Sequence, residues 1–426
     1  MILQLFQRIR CKLHYCIWLP SFLLLLSCQK EFSIDSGVMP VVPTPPRVDT
    51  NKPILVFDST QFNLFDSTSG IPQTEAFDGE FLVKQANNPA FLNRKYQGVP
   101  SIGIDRNNNL YVAWMSGGTD EQPGNYLMFA VSVDRGITWR QSELIINPKK
   151  SNVRYFDVCF FKDKYNNLYV SWSKCTGTGI WDGTGGVWYT KISYVNDTVR
   201  TQKPFRIANG VMMNKPITTN DGKSVLFPIS HWLWPSFSFI NQKVNVFKGN
   251  YGIKKLENYA SISYIPISNI IRSQADEHQI VQLSDTSYLA LIRTRQGIYF
   301  TNSKDAINWT PCQKFTAIGN TTEARSHISR LKSGKIALVV NNSLTRNDLK
   351  IFLSNDNGKT WPHKLLIDNR AKVSYPDLVQ DENGTIYIIY DFDRYGIGSI
   401  NLVALTESDI INNNLASIKR VIINKL

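Results

Sequence analysis

Chemically able side chains gather just before or just after a series of short apolar runs in this chain. Arg154 and Asp157 precede the run at 168–172. Asn214 and Lys215 precede the run at 225–229, and His231 and Trp232 follow it. Glu277 and His278 precede the run at 288–292, which Arg293 follows directly. Arg325 lies before the run at 336–340 and Arg346 after it. Tyr375 precedes the run at 386–390, and Asp391 and Arg394 come after it. Asp120 and Glu121 lie in the loop behind the first run, at 110–114. Arginine forks bind carboxylates through two parallel N–H bonds. Carboxyl, imidazole and phenol groups move protons when burial and neighbours tune them. The set suits acid–base chemistry on an anionic ligand, provided the fold brings the ends of these runs together.

The runs themselves say how that happens. Leu110-Tyr-Val-Ala-Trp114, Leu168-Tyr-Val-Ser-Trp172, Val225-Leu-Phe-Pro-Ile229, Tyr288-Leu-Ala-Leu-Ile292, Ile336-Ala-Leu-Val-Val340 and Ile386-Tyr-Ile-Ile-Tyr390 start 58, 57, 63, 48 and 50 residues apart. Turn formers precede each: Asn107-Asn108-Asn109, Asn166-Asn167, Asp221-Gly222, Ser284-Asp285, Ser333-Gly334 and Asn383-Gly384. Continuous apolar strands are buried on both faces. A period of about 55 residues fits one four-stranded blade per repeat. The expectation is an all-β chain, a six-bladed β-propeller of four-stranded antiparallel blades spanning 54–426. Pro228 interrupts the third copy. In a propeller the ends of the central strands converge on one funnel.

Composition agrees: 12% of residues are aromatic and only 19% charged, which favours sheet over helix bundle. Arg8, Arg10 and Lys12 precede an apolar stretch, Ile17 to Leu26, that ends in Leu25-Leu26-Ser27-Cys28. This resembles a lipobox. It implies a signal peptide at 1–27, a lipid on Cys28 and a Pro-rich tether at 28–53. Gln29-Lys30-Glu31 resembles a surface-export tag of Gram-negative lipoproteins. The expected location is the periplasmic or cell-surface face of the outer membrane, with the bilayer as partner through the lipid anchor. An ordinary secretory signal with a chance cysteine is the alternative. No later stretch is long and apolar enough to span a bilayer. The formal charge of +13 loses three cations with residues 1–27, leaving 13 − 3 = +10. Such a chain attracts polyanions. No Lys/Arg run is dense enough for nucleic acid, so an acidic glycan remains. Cys159, Cys175 and Cys312 lack metal-ligand spacing. Cys159 and Cys175 are placed to pair or to stay free.

A second pattern overlays the first. Ser132-Val-Asp134-Arg-Gly136-Ile-Thr-Trp139 and Ser354-Asn-Asp356-Asn-Gly358-Lys-Thr-Trp361 share S-x-D-x-G-x-x-W, and Ser303-Lys-Asp305-Ala-Ile-Asn-Trp309 is one residue short. This is similar to the Asp box. Over residues 95–412 the chain resembles the sialidase superfamily, in particular its BNR-repeat, exo-sialidase-like members. The resemblance implies that the Asp caps a hairpin and the Trp packs between blades. It further implies a tyrosine nucleophile, Tyr375, with Glu277 as its base, and Arg293 and Arg346 on the substrate carboxylate. Asp120 or Glu121 would be the general acid. A neutral nucleophile suits an anomeric carbon that carries a carboxylate.

One position departs from the family. Its first arginine falls in Gln97-Gly98-Val99-Pro100, where Gly98 replaces it. Losing a charge-assisted hydrogen bond costs about 1.5–3 kcal/mol. Arg94, Lys95 and Arg154 are candidate replacements. Asn214-Lys215-Pro216, Glu277-His278 and Tyr390 to Arg394 resemble an uncharacterised branch of the family. Their place near strand ends makes Arg325, Arg154, Asp157, Asn214, Lys215, His231, His278, Asp391 and Arg394 further substrate-binding candidates. The expected function is removal of a terminal acidic sugar from a glycan, without metal or cofactor. The alternatives are a uronic-acid hydrolase or polysaccharide lyase using His231 or His278 with Tyr375, and a non-catalytic glycan-binding lipoprotein.

Overall fold

The computed structural model describes residues 58–176, 185–232 and 243–426. The signal, Cys28 and tether expectations lie outside these residues. Each apolar run is the second strand of an antiparallel sheet: Leu110–Gly117, Leu168–Thr176, Ser224–His231, Tyr288–Thr294, Ile336–Asn341 and Ile386–Phe392. The first, innermost strands precede them: Tyr96–Ile104, Val153–Lys162, Ile217–Thr218, Gln279–Gln282, His327–Arg330 and Val373–Gln380. Two further strands follow in each case, so every sheet contains a four-stranded meander. Blades one and two add a fifth strand, Gly79–Val83 beside Arg140–Pro148 and Thr198–Thr201 beside Val187–Val195. Pro228 stays in its strand, opposite Val246, and the third blade survives it.

Six apolar clusters fill the spaces between neighbouring blades. The one between blades six and one closes the ring, with Tyr387, Ile389 and Leu402 against Ile102, Val112 and Trp114. The chain is therefore an all-β, six-bladed propeller. The Asp boxes turn hairpins as expected. Asp134 accepts from the Thr138 amide (2.9 Å) and Asp356 from the Thr360 amide (2.8 Å). Trp361 is buried with Leu289 and Phe315, between blades four and five. In the shortened copy Ala306, at φ 60°, takes the left-handed position next to Asp305. Cys159 is a buried, free thiol, and Cys175 is buried as well. Among the described residues, no helix is long and apolar enough to cross a membrane.

The propeller axis is plugged by charge. Asp377 on blade six accepts from Lys215 Nζ (2.6 Å), Ser101 Oγ (2.6 Å) and the Ile102 amide (2.9 Å), with His327 Nδ1 at 2.9 Å. Burial works against its charge, but Lys215 and His327 outweigh that and hold the carboxyl well below the usual range. Arg325, fully buried on blade five, donates to the carbonyls of Met213 (3.2 Å), Pro100 (2.8 Å) and Tyr375 (2.9 Å). Lys215 and Arg325 were expected to bind substrate. They instead tie the innermost strands of separate blades together. Removing one partner of a buried pair leaves the other charge stranded, at about 3–5 kcal/mol. Lys215→Met is thus expected to lower the melting temperature by several degrees, and Lys215→Met/Asp377→Leu to recover part of the loss. Equal melting of wild type and the single variant in a thermal scan counts against the plug.

Candidate active site

Three innermost strands carry the same irregularity. In blades one, two and six the pairing register slips across Gly98/Ser101, Phe156/Cys159 and Ser374/Asp377. Each slip leaves two residues unpaired, and the first of each two adopts a left-handed backbone: Val99 (φ 55°), Asp157 (φ 51°) and Tyr375 (φ 56°). Non-glycine residues avoid this region. Bulges that force them into it re-aim side chains, and strain of this kind gathers at functional sites. All three residues line one cavity of about 230 Å³. The rest of its wall comes from residues just before first strands, or at the end of or just after second strands. The ends of the runs do converge.

At its floor the Tyr375 phenol donates to Glu277 Oε1 (2.9 Å) and accepts from Arg293 Nη1 (2.9 Å). Arg293 also binds Glu277 directly. Burial raises the phenol pKa and Glu277 adds to it, while Arg293, Arg346 and Arg394 oppose. Burial disfavours the Arg293 charge, but Glu277 and Tyr375 outweigh it and raise this pKa above the ordinary value. Three more guanidinium groups lie over the Tyr375 ring, Arg346 at 5.1 Å, Arg394 at 4.3 Å and, from the axis side, Arg325 at 5.4 Å from its centre. Four cations thus surround one phenol, three of them on the cavity wall, an anion-attracting arrangement.

Arg394 occupies the space beside Gly98. A Cβ built on Gly98 would lie 3.0 Å from Arg394 Cβ, 3.0 Å from Asp391 Oδ2 and 3.2 Å from Arg394 Nε. Asp391 holds Arg394 Nη2 at 2.9 Å and accepts the Val99 amide at 2.8 Å. Asp391 therefore positions Arg394 and the blade-one bulge without lining the cavity. Of the candidates to replace the first arginine, Arg94 turns away to Phe91 O, Gln97 and Asn424, and Lys95 does not line the cavity.

Other expected residues fall elsewhere. Asp120 is exposed, accepts its neighbour's amide and does not line the cavity. Glu121 lines it, facing four donors: Arg394 (3.3 Å), Arg154 (3.4 Å), Tyr96 (3.2 Å) and Tyr395 (3.4 Å). Arg154 is buried behind Glu121 and is no wall residue. Asn214 donates to the carbonyls of Glu277 (3.1 Å) and His278 (2.9 Å), fixing the backbone that carries Glu277. His278 is engaged at both ring nitrogens, by Ser230 Oγ (3.0 Å) and Asn245 O (2.9 Å), and burial lowers its pKa to about 4. Neither it nor His231 lines the cavity. Sequence reading missed Glu323 and Tyr395, which do line it. Each lies within two residues of a strand-end arginine already noticed, so the same positional rule reaches them. Among the described residues no cluster of His, Cys, Asp and Glu is arranged to hold a metal.

A six-bladed ring with Asp-box hairpins and one polar cavity at the starts of its innermost strands defines the class: a sialidase-type propeller. Residues 108–388 match the BNR repeat-like domain, and the chain belongs to that family. Among solved structures it is similar to the Hadza microbial sialidase Hz136, with 17% identity and a TM-score of 0.57, over 74% of this chain and 66% of that one. It is similar to a protein of unknown function from Dyadobacter fermentans, with 15% identity and a TM-score of 0.54, over 75% and 96%. It is also similar to Trypanosoma rangeli sialidase in complex with sialic acid, with 12% identity and a TM-score of 0.51, over 72% and 53%. The chain thus spans about two thirds of the first and half of the third. At these identities the likeness concerns the fold. No curated protein matches the chain.

Proposed function

We propose that this protein is a glycoside hydrolase that removes a terminal, carboxylate-bearing sugar through a tyrosine nucleophile. The observation that carries this is the Glu277–Tyr375–Arg293 contact set, walled by two further guanidinium groups. Glu277 accepts the phenolic proton as the Tyr375 oxygen attacks the anomeric carbon. Arg293, Arg346 and Arg394 hold the carboxylate and offset the charge that develops on the phenolate. The cavity, about 230 Å³, is smaller than the roughly 300–1,000 Å³ of drug-sized sites. It suits one sugar unit, hence attack at a chain end.

The test uses fluorogenic aryl glycosides of sialic acid and of glucuronic acid, each compared with its methyl ester. The expected result is turnover of at least one acid, with kcat/KM lower by at least about tenfold for the ester, the loss of one charge-assisted hydrogen bond. Equal turnover of acid and ester overturns the anionic specificity. Binding without turnover of any acid overturns catalysis and leaves a glycan-binding protein.

A further inference from the structure

We propose that Asp157, on the innermost strand of blade two, is the proton donor of this cavity. The inference rests on the hydrolase reading above and supplies the acid that reading lacks. Asp157 occupies the same place in its bulge as Tyr375 does in blade six, the first of two unpaired residues with a left-handed backbone. Both line the cavity. Yet Asp157 is wholly buried, and neither of its carboxyl oxygens has a hydrogen-bond partner. Buried polar atoms are almost always paired, and one left unpaired asks for an explanation. A carboxylate stripped of water and unpaired is too costly to persist, and such a group takes up a proton instead.

The surroundings agree. Burial raises the Asp157 pKa well above its usual value. Glu121 from blade one and Glu277 from blade four push it further, against Arg154 on its own strand and Arg325 from blade five. Arg293, Arg346 and Arg394 stand elsewhere on the cavity wall, around Tyr375. Glu121 offers a poor alternative, because two guanidinium groups and two phenols already donate to it. The two carboxyls differ in their partners: Glu277 Oε1 takes the Tyr375 phenol and the Arg293 guanidinium, whereas Asp157 has no donor to hold it ionised. In the proposed step Asp157 gives a proton and Glu277 accepts one.

The step balances. The Tyr375 oxygen bonds to the anomeric carbon as its proton passes to Glu277. The glycosidic C–O bond breaks, and the leaving oxygen takes the Asp157 proton. Water then attacks the anomeric carbon, giving one proton to Asp157 and leaving its hydroxyl on the sugar; the tyrosyl C–O bond breaks, and Glu277 returns the phenolic proton to Tyr375.

The test compares Asp157→Asn and Glu121→Gln with wild type on two acidic glycosides, one with a poor sugar or alkyl leaving group and one with a 4-nitrophenyl group. Asp157→Asn is expected to lose roughly 100-fold or more in kcat/KM on the poor leaving group, and under tenfold on the aryl substrate, which needs no proton. Because the acid must be protonated, wild-type activity on the poor leaving group falls as pH rises through its pKa. Asp157→Asn abolishes that limb and Glu121→Gln keeps it. Should Asp157→Asn not fold, Asp157→Ser takes the same comparison. Equal losses on both substrates, or removal of the alkaline limb by Glu121→Gln, overturn the assignment. A wild type inactive on every acidic glycoside instead sinks the hydrolase reading itself.

Discussion

Tyr375→Phe is expected to lower kcat by at least about a thousandfold while changing the dissociation constant of the acidic sugar less than about threefold. Removing a nucleophile removes the covalent route, and what remains comes from binding alone. The phenyl ring stays under Arg346 and Arg394, and the oxygen lost is the one hydrogen-bonded to Glu277 and Arg293. Glu277→Gln keeps the shape but cannot take the phenolic proton. The Tyr375 phenol, whose pKa burial still raises, then has no base, and kcat is expected to fall about 10²–10⁴-fold. Stopped-assay kinetics with parallel calorimetric binding separates the two quantities. Near-normal kcat in Tyr375→Phe removes the phenol from the chemistry. A matching collapse of binding makes it a structural residue.

The second large effect concerns a pair of positions. Arg394→Gly is expected to reduce kcat/KM for the acid about tenfold to a hundredfold, and for its methyl ester far less, since one charge-assisted contact is lost. Gly98→Arg alone is expected to do at least as much harm, because its Cβ meets Arg394 at 3.0 Å. In the combined variant Gly98→Arg/Arg394→Gly the new guanidinium enters the space the old one vacates. Much of the activity then returns, and the two changes couple by more than about 1 kcal/mol. A double variant no better than its worse parent shows that Arg394 serves only as the partner of Asp391.

The blades were legible because the signal is local: a turn, five apolar residues, and a spacing that repeats. The position of Tyr375, Glu277, Arg293 and Arg346 at strand ends was legible for the same reason. What a strand-end residue does was less so. Arg325 and Arg346 both flank blade-five strands. One gives its terminal nitrogens to backbone carbonyls along the axis, whereas the other reaches the cavity. Nothing in a period of 55 states how far from the axis a side chain stops. Bulges were equally hidden, because one extra residue in a strand leaves the apolar pattern nearly intact. That is why Asp157 read as one of many polar neighbours. Another repeat went unnoticed. Asp105, Asp163 and Asp381 each cap a hairpin and accept the hydroxyl of a tyrosine six residues on, Tyr111, Tyr169 and Tyr387. Its asparagine turns were seen, its aspartates were not.

Blade six closes on blade one through packed apolar groups, side chains and one backbone bond, from the Gln97 amide to Arg394 O (3.4 Å). Among the described residues no strand of either blade is lent to the other. The cavity straddles that seam: Tyr375 and Arg394 belong to one side, Val99 and Glu121 to the other. A sugar seated there touches both flanks at once and works as a clasp on the ring. On the proposed function, docking would then serve both recognition and the holding of this joint.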